Sequence, residues 1–276
     1  MRENVTVVIG NGGMGRAIGR RLGADARLLI ADVSQESLDD TVGKLVADGF
    51  DATAQQTDVT SPESMAALAD AAAALGPVTR IIHTAGVSPA QAPIQAILSV
   101  DVLGPAFMLE EFVDHVQPGA AAVVIASNAG HMFPGLSQED ERAVSTLPAR
   151  ELAASPLLDA GRYNDRATAY MFAKLAAQLR VKAAALPWGE RGARVNSVSP
   201  GVIATPMGHA ELVGSDQELT RQLIASSPAS RMGTAEEIAA AVEFLLSPSA
   251  SFVTGADLLV DGGAMAAIAA MAPPGA

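Results

Sequence analysis

The sequence predicts an α/β protein with a doubly wound, parallel, seven-stranded sheet in one domain over residues 1–276. Short β-branched runs alternate with Ala- and Leu-rich segments of helical periodicity, which is typical of βαβ units. The strand runs are apolar at consecutive positions, as expected of strands covered by helices on both faces. A glycine-rich turn joins the first predicted strand to the first predicted helix, at the edge where such sheets bind ligands.

The predicted elements follow this alternation along the chain. We expect strands at 5–9, 27–31, 51–56, 79–83, 121–126, 193–198 and 256–260. We expect helices at 13–23, 34–48, 62–75, 99–116, 165–186, 217–226 and 234–246. The proline-rich segment 131–164 interrupts the rhythm, and we interpret it as an insertion on the substrate side with a short helix over 145–153.

Composition excludes several classes of function. The net charge of −12 disfavours nucleic acid and anionic membranes as partners. There is no cysteine, so disulfides, thiolate metal sites and a cysteine nucleophile are impossible. The four histidines lack metal-ligand spacing, and we expect no metal. No apolar run approaches the ~20 residues that span a bilayer, and nothing at the N-terminus reads as a signal segment. We expect a cytoplasmic protein.

A glycine motif, G-x-G-x-x-G, follows the first predicted strand and is formed by Gly10, Gly12 and Gly15. The first glycine permits a tight turn, the second lets the backbone approach a pyrophosphate, and the third lets helix and strand pack closely. The helix that begins there offers free N–H groups to the phosphates. We therefore expect Gly13 and Met14 to join these glycines in a Rossmann-type dinucleotide site.

Asp32 ends the second predicted strand, twenty residues after Gly12. A carboxylate at this place bonds the ribose hydroxyls and repels a 2′-phosphate, and Val33 and Ser34 supply no compensating cation. The sequence therefore favours NAD over NADP. Asp32 has an alternative role as a helix N-cap, which Ser34 can also fill. Asp58 follows the third strand, where it caps the next helix, contacts the adenine, or does both.

Tyr170 and Lys174 are four residues apart and share one face of a predicted helix. A tyrosine hydroxyl can donate or accept the proton that a ketone or alcohol exchanges, and a nearby ammonium lowers its ordinary pKa of ~10. Tyr163 has no lysine at this spacing. Ser127 ends the fifth predicted strand, at the ligand-binding edge of the sheet, where a hydroxyl can steady a substrate oxygen. The alternative for Ser127 is a turn serine.

Taken together, these features resemble a short-chain dehydrogenase/reductase of the single-domain kind over nearly the whole chain. Besides the glycine motif, Ser127 and the Tyr170/Lys174 pair, the resemblance is carried by the blocks at 83–86, 194–206, 231–239 and 254–263. It implies that Tyr170 is the acid/base, that Lys174 lowers its pKa and bonds the nicotinamide ribose, and that Ser127 orients the substrate. Further cofactor contacts are implied for Val59, Ala85, Gly86, Pro200, Gly201, Ile203 and Thr205. Residues near 206–228 would form a mobile loop over the substrate.

Three departures from the family pattern are visible. The glycine motif is more tightly spaced than usual. Asp101 stands where the family usually has an asparagine that supports a proton path to the lysine, and His83 and Thr84 replace another asparagine pair. A carboxylate at Asp101 would compete for the charge of Lys174. Ser127 and Tyr170 lie 43 residues apart, a longer gap than usual, and segment 131–164 accounts for the excess.

The leading hypothesis is an NAD-dependent oxidoreductase that interconverts a small-molecule secondary alcohol and a ketone. A catalytically idle NAD-binding sensor or scaffold is the alternative, with Asp101 as its support. A third hypothesis is an epimerase or dehydratase on the same fold. Those enzymes usually carry a larger C-terminal substrate domain, and we expect none from the residues after Gly263. The resemblance implies a homotetramer or homodimer. By location, the candidate residues of the substrate wall are Met132, Phe133, Met207 and His209. His131 is either a loop residue or a pocket residue. We expect Trp188 to pack near the end of the helix that carries Tyr170.

Overall fold

The computed structural model describes residues 3–213 and 217–271. Seven parallel strands form one sheet in the order β3-β2-β1-β4-β5-β6-β7. They are β1 (Val5–Ile9), β2 (Arg27–Asp32), β3 (Ala52–Gln56), β4 (Val78–His83), β5 (Val116–Ile125), β6 (Arg194–Pro200) and β7 (Asp257–Val260). The strand order reverses between β1 and β4, which places a ligand crevice at their carboxyl ends. The predicted doubly wound, seven-stranded parallel sheet is confirmed.

Helices cover both faces of the sheet. Their bounds are α1 (Gly13–Leu22), α2 (Gln35–Ala47), α3 (Pro62–Leu75), α4 (Ile94–Leu98), α5 (Gly104–Phe112), α6 (Gln138–Thr146), α7 (Ala149–Ala153), α8 (Arg166–Glu190), α9 (Pro206–Glu211), α10 (Gln217–Ser226), α11 (Ala235–Leu246) and α12 (Ala264–Met271). Within the described residues, no helix is long and apolar enough to cross a membrane.

The hydrophobic core forms two layers, one on each side of the sheet. Val7 of β1 belongs to the layer built from α3, α5 and α8, whereas its neighbour Val8 packs with α1, α2 and α11. Both valines are fully buried. Consecutive side chains of a strand point to opposite faces, so an all-apolar run is required where both faces are covered. The two layers explain why the strands lack a polar alternation.

The predicted helix at 99–116 was wrong in its bounds. Helical structure begins earlier, with α4, passes through a π-helical turn at Ser99–Leu103 and ends with α5 at Phe112. Val116, predicted as helical, begins β5 instead. Such π turns add a residue to the helix and often occur at functional sites. Here the extra residue widens the turn that carries Asp101.

Segment 131–164 forms a set of short helices packed against the long helix α8. The helix predicted at 145–153 is divided into α6 and α7, because Pro148 disfavours a helical conformation at Leu147. Two 3-10 turns, Pro156–Leu158 and Ala160–Arg162, then lead into α8. The side chains of Val144, Leu152 and Leu157 from this segment are buried in the same core layer as α5 and α8.

Helix α8 continues beyond its predicted end at 186, through Pro187 to Glu190. Proline lacks an N–H group and weakens the helical hydrogen bonds at this point. Trp188, fully buried, donates its indole N–H to the carbonyl oxygen of Leu109 at 3.1 Å. The packing role predicted for Trp188 is confirmed, and this contact fixes the last turn of α8 to α5.

Candidate active site

A cleft of about 1320 Å³ lies at the carboxyl ends of β1, β2 and β4. Its lining contains nearly all the residues predicted to hold the nucleotide part of the cofactor: Gly10, Gly12, Gly13, Met14, Gly15, Asp32, Asp58, Val59, Ala85, Gly86 and Thr205. These residues come from five separate chain segments, and parallel strands bring them together because their carboxyl ends meet at one edge.

The glycine turn fits a pyrophosphate. A Cβ atom at Gly10 would lie 2.4 Å from the backbone nitrogen of Ala85, and one at Gly15 would lie 1.9 Å from the Gly10 carbonyl oxygen. Gly12, by contrast, has open space where its Cβ would be, so its backbone faces the cleft. No side chain caps the N-terminus of α1, and its first turn has no acidic residue. The N–H groups of this turn are therefore available to phosphate oxygens.

Asp32 is held in place by backbone donors. One carboxylate oxygen accepts the N–H of Asn11 at 2.7 Å and the other accepts the N–H of Ser34 at 3.0 Å. Ser34 itself is the N-cap of α2, accepting from the N–H of Ser37. The alternative role of Asp32 as an N-cap is therefore wrong, and its carboxylate lies at the rim of the cleft.

Asp58 also lies at the cleft and does not cap the following helix. Its Oδ1 accepts the backbone N–H and the hydroxyl of Thr60, at 2.9 and 2.7 Å. The N-cap of α3 is Ser61, whose hydroxyl accepts from the N–H of Ser64. Of the two roles open to Asp58 from the sequence, capping is wrong, and contact with the adenine stays a prediction.

A second cavity, of about 1120 Å³, adjoins the cleft and contains the predicted reacting groups, Ser127 and Tyr170. Met14, Thr205 and Met207 line both spaces, so the two communicate there. The end of β6 forms one wall, which includes the remaining predicted contacts Pro200, Gly201 and Ile203. The other walls come from the loop after β4, from α8, and from α9 and α10.

Ser127 lies two residues after the end of β5 in an extended conformation, with its hydroxyl accepting the N–H of Ala129 at 3.1 Å. Gln178 of α8 donates to the Ser127 carbonyl oxygen at 3.3 Å and to the Ser199 hydroxyl at 2.8 Å. Ser127 is thus a turn serine and a cavity residue at the same time. These bonds hold its backbone against α8, the helix that carries Tyr170.

Tyr170 and Lys174 lie on the first half of α8, which begins at an Asp165 N-cap that accepts the N–H of Thr168 at 2.7 Å. The Lys174 Nζ atom is 5.2 Å from the centre of the Tyr170 ring. Lys174 is buried, and its Nζ lies 3.3 Å from Oδ1 of Asp101. The four-residue spacing brings Tyr170 and Lys174 together, and the fold adds Asp101 as a third ionisable group.

The pKa of Tyr170 is raised in this site. Burial of the phenol is the main cause, and the negative charges of Asp101 and Glu211 add to it. Lys174 and the Ser127 hydroxyl act in the opposite direction, as the sequence suggested, but do not outweigh burial. The phenol is therefore held in its protonated form, which can donate a proton.

Asp101 projects from the π-helical turn and is almost completely buried. Its Oδ1 accepts the N–H of Val87 at 3.2 Å, while Oδ2 has no hydrogen-bond partner among the described residues. A Cβ at Gly86 would lie 2.6 Å from Asp101 Oδ1 and 3.3 Å from Lys174 Nζ, so only glycine fits there. Burial raises the pKa of Asp101, although Lys174 and the Val87 N–H oppose this.

The pKa of Lys174 is also shifted in this site. Burial alone would lower the pKa of this ammonium, but the Asp101 carboxylate, with Tyr170 and Glu211, more than offsets that effect and raises it. His83 lies nearby, fully buried, with neither ring nitrogen hydrogen-bonded in the described structure. Its burial lowers its pKa to about 3, and the charge of Lys174 contributes, so His83 is neutral.

Several site residues could not be identified from the sequence. Ala167 and Met171 flank Tyr170 on α8, and Leu219 and Leu223 reach the cavity from α10. Glu211 at the end of α9 also lines it. Helical spacing from Tyr170 could have indicated Ala167, which lies three residues before it. No sequence signal distinguishes the others from ordinary surface and core positions.

The candidate wall residues behave differently from one another. Met132 and Met207 line the cavity. Phe133 packs instead against the Phe172 ring, at 5.8 Å between centroids, and His209 bonds the Thr205 carbonyl oxygen. His131, in the 3-10 turn Asn128–Met132, pairs with Asp257 at 2.8 Å and is not among the residues that line the cavity. Of segment 131–164, only Met132 belongs to the described cavity lining, so most of the segment acts from outside it.

Two family models match the chain. One, described as short chain dehydrogenase, covers residues 3–137, and the other, described as Enoyl-(Acyl carrier protein) reductase, covers residues 156–265. A short-chain dehydrogenase/reductase, bsc3, of Alternaria brassicicola is 37% identical over 96% of this chain and 97% of its own. A galactitol 2-dehydrogenase (L-tagatose-forming) of Cereibacter sphaeroides is 32% identical over 91% of this chain and 90% of its own.

The fold matches solved structures over a similar length. An actinorhodin polyketide ketoreductase solved with NADPH has a TM-score of 0.75 and 24% identity, covering 95% of this chain and 97% of that one. The chain belongs to the short-chain dehydrogenase/reductase family, and it is therefore an oxidoreductase whose fold binds a nicotinamide cofactor.

Proposed function

We propose that this protein is an NAD-dependent oxidoreductase that interconverts a secondary alcohol and a ketone, with Tyr170 as the proton donor and acceptor. The observation that carries the proposal is the placement of Tyr170 and Ser127 in a cavity that opens into the nucleotide cleft. A substrate oxygen near both hydroxyls would have its carbon close to the shared wall of Met14, Thr205 and Met207. The galactitol 2-dehydrogenase relative acts, by its name, on a secondary alcohol.

The proposed roles follow from the contacts. The bound nicotinamide supplies the chemistry of hydride acceptance and donation. Ser127 orients the substrate oxygen, and Tyr170 gives its hydroxyl proton to that oxygen in ketone reduction or removes the proton in alcohol oxidation. Lys174 stabilises the phenolate and, in this proposal, bonds the nicotinamide ribose, while Asp101 accepts a hydrogen bond from the Lys174 ammonium. Val202 and its neighbours at the end of β6 would border the nicotinamide ring.

The preference for NAD rests on Asp32. Its carboxylate is fixed at the cleft by two backbone N–H groups, where it can accept hydrogen bonds from ribose hydroxyls and repel a 2′-phosphate. Arg16 is a cation in the cleft, but its guanidinium donates to the Asn11 carbonyl oxygen at 2.8 Å. The ketoreductase solved with NADPH shares the fold only, and NADP is the less favoured cofactor.

We also propose a homodimer or homotetramer in the cytoplasm. Leu186, Phe252 and Leu259 expose large apolar side chains, and Phe252 is fully exposed. Burial of such side chains between subunits would remove apolar surface from water. Light scattering on the purified protein measures the oligomeric state directly, and a monomer at micromolar concentration would contradict this proposal.

Replacement of Tyr170 by Phe tests the mechanism. We expect Tyr170→Phe to reduce kcat for alcohol oxidation by at least about a hundredfold, since general acid/base catalysis contributes this much or more. Absorbance of NADH reports the rate, and calorimetry should show that NAD still binds. Tyr163→Phe is the matched control, because it removes the other tyrosine hydroxyl, which donates to the Leu157 carbonyl oxygen outside the cavity, and it should keep nearly full activity. Retained turnover in Tyr170→Phe would contradict the mechanism.

NAD binding without turnover of any alcohol or ketone in the wild type would instead support an idle NAD-binding protein.

A further inference from the structure

The turn Asn128–Met132, which directly follows Ser127, is attached to the rest of the fold at both ends. At the front, the Ser127 carbonyl oxygen accepts an N–H of the Gln178 side-chain amide at 3.3 Å. At the rear, Nε2 of His131 lies 2.8 Å from Oδ2 of Asp257, the first residue of β7. Because Ser127 directly precedes the turn, both attachments restrict where its hydroxyl lies.

Both attachments lead to the Asp257 carboxylate. Oδ1 of Asp257 accepts the hydroxyl of Ser199, on the neighbouring strand β6, at 2.8 Å. The Ser199 oxygen in turn accepts an N–H of Gln178 at 2.8 Å, from the same amide that reaches Ser127. Oδ2 of Asp257 is the atom that His131 contacts. The hydrogen bonds therefore form a closed chain that leaves the turn at its front, passes through α8, β6 and β7, and returns at His131.

The direction of the hydrogen bonds in this chain is set by Asp257. A carboxylate only accepts hydrogen bonds, so the Ser199 hydroxyl donates its one proton to Asp257. The Ser199 oxygen can then only accept from Gln178, which must present its NH2 group and not its carbonyl oxygen. The second N–H of that group reaches the Ser127 carbonyl oxygen. Asp257 thus determines which end of the Gln178 amide faces Ser127.

The polar groups of this chain are shielded from water. Ser199 and Ser197, whose hydroxyl also donates to Oδ1 of Asp257, are fully buried, and the Asp257 side chain is 17% exposed. A missing hydrogen bond costs more free energy in such surroundings than at an exposed position. A Cβ at Gly130, inside the turn, would lie 2.8 Å from the Gln178 amide nitrogen, so the turn also packs closely on α8. The turn therefore has little room to shift while the chain is intact.

We propose that Asp257 and Gln178 are positioning residues, which hold the Ser127 hydroxyl where it can bind the substrate oxygen beside Tyr170. Neither residue is among the described lining of the cavity, so both act through the turn and not on the substrate. The inference rests on the proposed function, since it assumes that Ser127 orients the substrate. It gives β7, a strand without any residue in that described lining, a part in the reaction.

A double-mutant cycle of Gln178 and Ser127 tests the proposal. Gln178→Met keeps a side chain of similar length and removes both N–H donors. We expect it to reduce kcat for alcohol oxidation by about tenfold, because misplacement of a group at the reacting centre costs this much or more. In a Ser127→Ala background, the same change should reduce kcat by less than about twofold, since no hydroxyl is left to position. A merely structural effect would be equal in both backgrounds.

The rates are measured with NAD and the secondary alcohol that the wild type oxidises best among galactitol, cyclohexanol and 2-octanol. The dissociation constant of NADH, measured by fluorescence, should be unchanged in Gln178→Met, because Gln178 is not among the described lining of the nucleotide cleft. Gln35→Met is the matched control. The Gln35 amide donates to Asp39 at an exposed position on α2 and lines neither the cleft nor the cavity, so this variant should keep the wild-type kcat.

Two variants of Asp257 separate hydrogen bonding from charge. Asp257→Asn and Asp257→Leu both remove the negative charge, but only the asparagine variant keeps an oxygen that can accept the Ser199 hydroxyl. We therefore expect kcat to be at least about fivefold higher in Asp257→Asn than in Asp257→Leu. This rescue by the conservative variant would not occur if the charge of Asp257 were the property that matters.

Hydrogen exchange, measured by mass spectrometry, adds a readout that needs no turnover. The peptide that covers 126–133 should exchange faster in Gln178→Met and Asp257→Leu than in the wild type, because the turn has lost an attachment. Urea denaturation confirms that each variant is folded before its rates are read.

The outcomes separate this inference from the proposed function. Equal losses of kcat for Gln178→Met in the two backgrounds, equal kcat in the two Asp257 variants, or unchanged exchange would each overturn the positioning role and leave the reaction intact. A Ser127→Ala variant with the wild-type kcat would overturn the role of Ser127 and this inference with it. Failure of the wild type to oxidise any of the three alcohols, or to reduce the matching ketones, would count against the proposed function itself, and the exchange rates would then decide the inference.

Discussion

At the scale of single residues, the site depends on a carboxylate placed against its lysine. Asp101 touches Lys174 within a buried cluster, and its charge raises the pKa of both Lys174 and Tyr170. Its second carboxylate oxygen has no hydrogen bond among the described residues. An amide in the same place would keep the size of the side chain and remove the charge. The electrostatic effect of Asp101 can therefore be separated from its packing.

We expect Asp101→Asn to shift the pH profile of alcohol oxidation towards lower pH. Loss of the negative charge removes one cause of the raised pKa of Tyr170, so the phenolate, which accepts the alcohol proton, forms at lower pH. The dependence of kcat on pH measures the shift. Asp39→Asn, at an exposed position on α2 that bonds Gln35, should leave the profile unchanged. An unchanged profile in Asp101→Asn, or a shift to higher pH, would contradict this account.

At the scale of elements, one buried arginine fixes the segment of short helices to the rest of the fold. Nη1 of Arg180 donates to the carbonyl oxygens of Val144 and Leu147, and its Nη2 donates to Glu110 at 2.7 Å. Glu110 in turn accepts the N–H of Ala149. Arg180 thus satisfies the carbonyl groups at the C-terminal end of α6, where the helix leaves them unpaired. Helices α5, α6, α7 and α8 are joined at this one point.

We expect Arg180→Met to destabilise the protein by about 3 kcal/mol, because it leaves the Glu110 carboxylate and two carbonyl groups without their donor. Arg150 on α7 is the matched control, since its ion pair with Glu63 is exposed. Arg150→Met should cost less than about 1 kcal/mol. Urea denaturation measures both. Equal losses in the two variants would show that Arg180 does not have this anchoring role.

At the scale of the whole molecule, cofactor binding joins segments that are distant in the sequence. The cleft takes its lining from the ends of β1, β2, β3 and β4 and from the loop after β6. A ligand that contacts all of them binds only the folded chain, and it therefore adds to the free energy of unfolding. The gain at a given concentration depends on affinity, so it also reports which cofactor is preferred.

We expect NAD, at a free concentration about 100 times its Kd, to add about 2.7 kcal/mol to the stability of the folded state. The thermal midpoint should rise by about 5 °C or more. NADP at the same concentration should raise it less, because Asp32 repels the 2′-phosphate. Differential scanning fluorimetry measures both shifts. Asp32→Ala should bring the two shifts closer together. Equal shifts in the wild type would argue against the preference for NAD.

The sequence by itself determined the sheet, the glycine turn and the Tyr170/Lys174 pair. These depend on short-range rules: apolar runs form covered strands, glycines permit one particular turn, and a spacing of four residues places two side chains on one helical face. The site roles assigned to these residues stay predictions. The predicted bounds of elements were wrong where a local signal was ambiguous. At 99–116, apolar residues recur through a π turn, α5 and the start of β5 without a break that marks the helix end.

Only the tertiary structure decided what surrounds these residues. It placed Asp101 against Lys174 across 73 positions of sequence, raised the pKa of Tyr170 by burial, and brought Glu211 into the cavity. It also showed that Arg180 holds the short helices of segment 131–164. Burial and charge at a site arise from contacts between distant segments, whereas sequence patterns report on neighbours along the chain.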